Sequence, residues 1–207
     1  MEIGIILLAI LLLGAVYLLW LRPWQLHWGA TAEELARSMP GDEVVAAPSF
    51  NATRAVTVEA PAQAIYPWII QMGVTPRAGW YSYDLLDNLG RPSAESLMPE
   101  LQQIFPGQLI PMSPDGKNGL YVKAYEKDRW ILWGDLAGDT TWAWGFYPDG
   151  KGRTRLITRV RSKYRWGFPQ AFFNLLLEFC DMIMMRKCML DIKARAEKLV
   201  RGDRKAV

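Results

Sequence analysis

The chain has 207 residues, a net charge of +3 and 51% hydrophobic residues, which fits one folded domain or at most two. No cationic run is long enough for a nucleic-acid-binding protein. One histidine and two cysteines leave too few ligands for a metal site and no base for a Ser–His or Cys–His nucleophile, whereas ten tryptophans suit membrane interfaces, binding surfaces and pocket walls.

Residues 3–21 (IGIILLAILLLGAVYLLWL) carry no charge. As a helix they span about 28 Å, close to the hydrocarbon thickness of a bilayer. Tyr17, Trp20 and Trp24 gather with Arg22 at the downstream end, as an interfacial belt does. A cleaved signal peptide would need a positive leading region and a small-residue cleavage site. Glu2 and the bulky Leu-Trp-Leu end oppose that reading. Residues 1–22 are therefore expected to be a transmembrane anchor whose partner is the lipid bilayer. Glu2 lies upstream, and Arg22 and Arg37 lie downstream, so the positive-inside rule places the following domain in the cytoplasm. Free thiols at Cys180 and Cys188 fit that reducing compartment. On one helix they would lie about 12 Å apart, too far to bridge, and both read as small buried hydrophobes.

Residues 23–50 read as a linker. Within it Thr31 and Glu34 have capping-box spacing ahead of a short helix over 32–38, stopped by Pro40-Gly41. Residues 51–200 read as the folded domain and 201–207 as a frayed tail. A β-branched alternation predicts a strand over 53–59, and Pro61 opens a helix over 62–72 ended by Gly73. A short helix starts at Ser82 or Tyr83 and ends at Gly90 and Pro92. Five strand-like runs follow, over 108–112, 120–126, 130–135, 141–147 and 154–164. Turn signals such as Pro114-Asp115-Gly116 and Pro148-Asp149-Gly150 separate them, which implies an antiparallel meander. From Pro169 to about Val200 the spacing predicts one long helix. Its apolar stripe includes Phe172, Leu175, Leu176, Phe179, Ile183, Met184, Cys188, Met189, Ile192 and Leu199.

Strand, two helices, meander and long helix make an α+β fold in which a curved antiparallel sheet is covered by a helix. The stretches TRAVTVEAPAQAIYPWIIQMG (53–73), GWYSYDLLDNLGRPSAE (79–95), TRLITRVR (154–161) and RKCMLDIKARAE (186–197) resemble those of bacterial membrane-anchored members of the SRPBCC superfamily, the START and birch-pollen-allergen-like proteins. That resemblance implies a helix-grip fold. It also implies a cavity for lipids, sterols, polyketides or hormones, with enzymes such as cyclases as a minority use.

On strand 141–147, Trp142, Trp144 and Phe146 share one face by alternation. They are expected to pack the core, line a ligand pocket, or do both, facing Phe179 and Ile183 of the long helix. Trp130 and Trp133 have opposite parity, so only one can join that face. In 79–93, Tyr81, Tyr83, Asp84, Asp87, Asn88 and Arg91 concentrate hydrogen-bonding groups near the cavity mouth. Asp84 could instead cap the short helix while Arg91 pairs with Asp87, or the two carboxylates could serve acid–base chemistry. Arg155, Arg159, Arg161 and Lys163 share parity as a basic stripe, either solvated or facing anionic lipid headgroups.

The leading expectation is a membrane-anchored binding domain for a hydrophobic or amphipathic, lipid-like small molecule held between sheet and long helix. It has no cofactor, no metal and no assigned catalytic residue. One alternative is a non-catalytic accessory subunit of a membrane protein complex. The other is a cyclase- or hydrolase-type enzyme using acid–base residues in 81–91.

Overall fold

Turn residues at the reversals between 109 and 162 leave only short connections, so the five strands of the meander pair side by side in sequence order. The computed structural model describes residues 2–164, 167 and 169–205. In it β1 (Phe50–Val58), β2 (Leu109–Pro111), β3 (Gly119–Glu126), β4 (Trp130–Gly134), β5 (Thr140–Pro148) and β6 (Thr154–Ser162) form one sheet of order β1-β6-β5-β4-β3-β2. Every pairing is antiparallel. Each strand lies within three residues of its expected bounds.

The N-terminal helix begins as α1 (Glu2–Val16) and passes through a wide π turn at Tyr17–Leu21 into α2 (Arg22–Leu26). Pro23 accounts for the wide turn: its ring would collide with the carbonyl four residues back, and a wider ring of hydrogen bonds makes room. The run long and apolar enough to cross a membrane is Gly4–Leu26, a few residues longer than the sequence reading. The short helix α3 (Ala32–Ala36) carries the expected capping box. The Glu34 amide donates to Thr31 Oγ1 at 3.2 Å, and the Thr31 amide donates to the Glu34 carboxylate at 2.8 Å.

Helices α4 (Ala62–Ile70) and α5 (Asp84–Asp87) follow β1, and α6 (Gln170–Lys205) closes the inner face of the sheet. Helix α6 continues past the expected end near Val200, and residues 206 and 207 of the expected frayed tail lie outside the described residues. With 36 residues it is about 54 Å long, whereas a nine-residue strand spans about 30 Å. The helix therefore overhangs the sheet, and its apolar stripe divides in two. Met182, Met185, Cys188, Met189, Ile192 and Ala196 are buried. Phe172, Phe173, Leu176 and Leu177 are exposed.

Strand parity sorts the two sheet faces. Trp142 and Trp144 share the inner face with Trp133, which sits opposite Trp142, and with Ile131, opposite Trp144. Trp130 falls on the other face. That outer face is covered by the segment between α2 and β1. Met39 packs there with Ala55, Leu132, Ala143 and Ile157, and the three arginines of the basic stripe are covered rather than solvated or headgroup-facing, while Lys163 is half exposed beside Asp139. Arg159 is only 3% exposed. It donates to Asp42 at 2.7 Å, to Thr53 Oγ1 and to the carbonyls of Glu34, Leu35 and Arg37. Arg155 grips the Glu34 carboxylate at 2.6 and 2.9 Å, and Arg161 reaches Asp42 and the carbonyls of Val45 and Ala46.

Candidate ligand cavity

A cavity of about 530 Å³ lies between the inner face of the sheet and α6, within the range of small-molecule sites. Phe50 of β1, Val160 and Ser162 of β6, and Thr140 and Trp142 of β5 form its sheet wall. Leu177, Cys180, Asp181, Met184, Met185 and Cys188 of α6 form the opposite wall. Trp80, Ser82, Leu86, Asp87 and Leu89 close a third side. Trp80 stacks on Trp142 with centroids 5.8 Å apart and planes 16° apart. The Trp142 indole N–H donates to Thr158 Oγ1 at 2.7 Å, which fixes the ring that paves the floor.

The loop carrying Trp80 to Leu89 is set by local chemistry. Gly79 has φ +79, and a Cβ there would lie 2.3 Å from Ser93 Oγ, so only glycine fits. Ser93 donates from its amide and its hydroxyl to the two Asp84 oxygens, at 3.0 and 2.6 Å. Buried Asn88 accepts from the Thr75 amide at 2.8 Å and donates to the Arg91 carbonyl at 2.7 Å. Arg91 reaches Thr75 Oγ1 rather than Asp87. Asp84, Asn88 and Arg91 thus shape the loop and line none of the cavity.

Asp87 does line it. Both of its carboxylate oxygens are shut off from solvent without a well-aligned hydrogen bond. Burial, and after it the charge of Asp84, raise its pKa above the ordinary carboxylate value. The Ser82 hydroxyl and the Tyr83 amide pull the other way. The result is a polar point in an otherwise apolar wall.

The remaining expected site residues divide between core and surface. Trp144 is fully buried and Phe146 is 4% exposed. Trp144 packs against Trp133 with centroids 6.4 Å apart and Phe146 meets Tyr66 of α4 at 5.8 Å, so of the three β5 aromatics only Trp142 faces the cavity. Tyr81 belongs to the core as well. It accepts from Gln71 Nε2 at 2.7 Å and lies under the Arg195 guanidinium at 4.7 Å, and burial pushes its pKa up to about 12. Tyr83 is exposed with the Lys187 ammonium 5.8 Å from its ring. Phe179 and Ile183 point outward from α6 and line no part of the cavity; the turns that do carry Leu177, Cys180, Met184 and Cys188. Cys180 is exposed at the rim rather than a small buried hydrophobe. Cys188 is buried, which raises its thiol pKa.

Sequence reasoning passed over Ser82, Phe50 and the exposed leucines Leu85, Leu86 and Leu89. Three leucines at the tip of an otherwise polar loop were the available signal.

Sheet order, paired short helices and a long closing helix define a helix-grip α+β domain behind an apolar N-terminal helix. No family model and no curated protein matches the chain. Solved structures with which it has likeness include a protein of Nitrosospira multiformis at 12% identity and TM-score 0.42, covering 73% of this chain and 99% of that one. Another is CalC, a self-sacrificing resistance protein of Micromonospora echinospora, at 11% identity and TM-score 0.41, covering 74% and 95%. A third is a Polyketide_cyc-like protein of Corynebacterium glutamicum at 13% identity and TM-score 0.36, covering 74% and 92%.

Proposed function

We propose that this chain is a membrane-anchored binding domain of the SRPBCC type, which holds a hydrophobic or amphipathic, lipid-like molecule between its sheet and α6. The cavity itself carries the reading. Its walls are mainly Trp, Phe, Leu, Val and Met, with a few polar groups at Ser82, Thr140, Ser162, Asp87 and Asp181. Apolar walls supply affinity at about 25 cal/mol per Å² buried, and sparse polar groups fix orientation. Asp84 commits both oxygens to Ser93 and Asp181 is paired with Arg54 at 2.7 Å, so neither stands as a free carboxylate partner to Asp87 for acid–base work. Binding therefore fits the site better than hydrolysis or cyclisation. The apolar helix Gly4–Leu26 supports anchoring, and Arg22 and Arg37 on its downstream side support a cytoplasmic domain.

Organic extraction and native mass spectrometry of the full chain, purified in mild detergent, test this. The expected result is a discrete lipid-class adduct that is reduced in Cys180→Trp, a change at the exposed rim that narrows the mouth. A wild-type chain carrying no adduct, even after incubation with membrane lipid extract, would overturn the proposal.

A further inference from the structure

The overhanging half of α6 presents an apolar surface free of charge. Phe172 is 64% exposed, Phe173 51% and Leu177 60%. The acidic residues in this half are Glu178, whose side chain is fully buried, and Asp181, whose side chain is 33% exposed and lines the cavity. Glu178 pairs with Arg22 at 2.8 Å and Asp181 with Arg54 at 2.7 Å. Facing outward are Phe172, Phe173, Leu176, Leu177, Phe179 and Ile183. The first cations of the helix, Arg186 and Lys187, come only after Met185.

This surface is tied to the N-terminal helix. Tyr17 donates to the Leu175 carbonyl at 3.3 Å, Arg22 bonds Glu178, and Gln25 joins Asp181 through Arg54. The pairings advance together along both helices, so residues before Glu178 lie toward the apolar stretch of the anchor. The cavity opens beside them: Leu86, Leu89, Met112 and Leu177 line it and are each more than half exposed.

We infer that the overhanging half of α6 and the leucines of α5 and its following turn seat in the same bilayer as the anchor, so that the cavity mouth opens onto lipid rather than water. The inference rests on the anchor being membrane-spanning, as in the proposed function. Covalent and hydrogen-bonded continuity with Gly4–Leu26 places this surface at the membrane, and pairing with Arg22 and Arg54 neutralises both acidic groups, whose bare charges a bilayer would reject. An apolar helix face followed by Arg and Lys suits the acyl–headgroup boundary. A ligand dissolved in the leaflet would enter sideways without crossing water.

Nitroxide accessibility in the full chain tests this in phosphatidylcholine–phosphatidylglycerol vesicles. Cys180 is replaced by Ser, and the buried Cys188 thiol stays unlabelled. Phe173→Cys and Leu86→Cys are compared with Leu12→Cys in the anchor and Lys127→Cys in the turn between β3 and β4. Oxygen-to-nickel accessibility ratios at 173 and 86 should match position 12 and exceed position 127 severalfold. Ratios equal to position 127, with position 12 still lipid-like, would overturn the inference and leave ligand binding standing. Exclusion of both reagents with spin–spin broadening would show a protein partner on this face and overturn it too. A water-like signal at position 12 would sink the anchor reading itself.

Discussion

Arg22, at the end of the apolar helix, donates from Nε and Nη2 to both carboxylate oxygens of Glu178 in α6, at 2.9 Å or less, across 156 residues of sequence. The Glu178 side chain is fully buried, and that of Arg22 is 24% exposed. This fork-to-fork geometry is strong and directional, and it fixes how the apolar N-terminal helix meets the domain. Arg22→Ala would strand a buried carboxylate. The expected loss is about 3 kcal/mol, read by guanidinium unfolding of the full chain in micelles followed by tryptophan fluorescence. The double change Arg22→Leu with Glu178→Leu should recover most of that loss, because apolar replacement of both partners removes the stranded charge.

Trp144 and Trp142 stand two residues apart on one face of β5 but have different roles. Trp144 is fully enclosed, so Trp144→Ala should cost about 3–5 kcal/mol. Trp142 faces the cavity and is held by Thr158. Trp142→Phe should cost about 1 kcal/mol for the lost hydrogen bond, while clearly lowering the amount of co-purifying lipid. Denaturant midpoints and lipid content, measured on the same preparations, separate the two effects.

Asp87 predicts a pH-dependent stability difference. Its pKa is raised in the fold by burial and by Asp84, so the folded state takes up a proton more readily than the unfolded one. The stabilising contribution of the protonated form is complete below the unfolded value of about 3.8 and is lost as pH rises through the folded value. Asp87→Asn, which is neutral throughout, should raise the melting temperature at pH 7 by about 2–4 °C. The gain should vanish as pH falls below 4, the ordinary carboxylate range. Melting scans of both proteins across pH 3.5–8 check the sign.

Arg159 clamps the segment between α2 and β1 onto the outer face of the sheet through the Asp42 carboxylate and three backbone carbonyls. Arg159→Lys keeps the charge but loses the planar fork. It should destabilise the domain by about 2 kcal/mol and speed amide exchange over 31–46 well ahead of the β5–β6 core. Exchange that rises uniformly, or not at all, would count against the clamp.

The architecture was legible because it rests on short-range signals. Turn residues set the meander, alternation placed Trp142, Trp144 and Phe146 on one face, and Thr31 with Glu34 marked a helix start. What decides the cavity is longer in range. Whether Trp144 packs or lines depends on the neighbouring Trp133 and Trp142 rings that enclose it, and which residues of α6 line the cavity depends on how the helix is turned above the sheet. Phe179 and Ile183 belong to a true 3.6-residue stripe, yet they sit on the outward side of turns whose inward residues, Cys180 and Met184, line the cavity. Arg159 looked solvated because parity identifies a sheet face but not what covers it. Asp84 and Asp87 looked alike in sequence; Ser93, six residues beyond Asp87, takes up one and leaves the other to the cavity wall.

Photo-crosslinking addresses the central claim most directly. Full chain in vesicles carrying a diazirine-tagged phospholipid is irradiated, and the adducts are mapped by peptide mass spectrometry. Adducts on Met184, Met185, Trp80, Ser82 and Asp87, in addition to 4–26, are the predicted result, since these groups line the cavity. Adducts confined to 4–26 and to the outward-facing Phe172, Phe173 and Leu85 would mean that lipid touches the outside of the protein and never enters it.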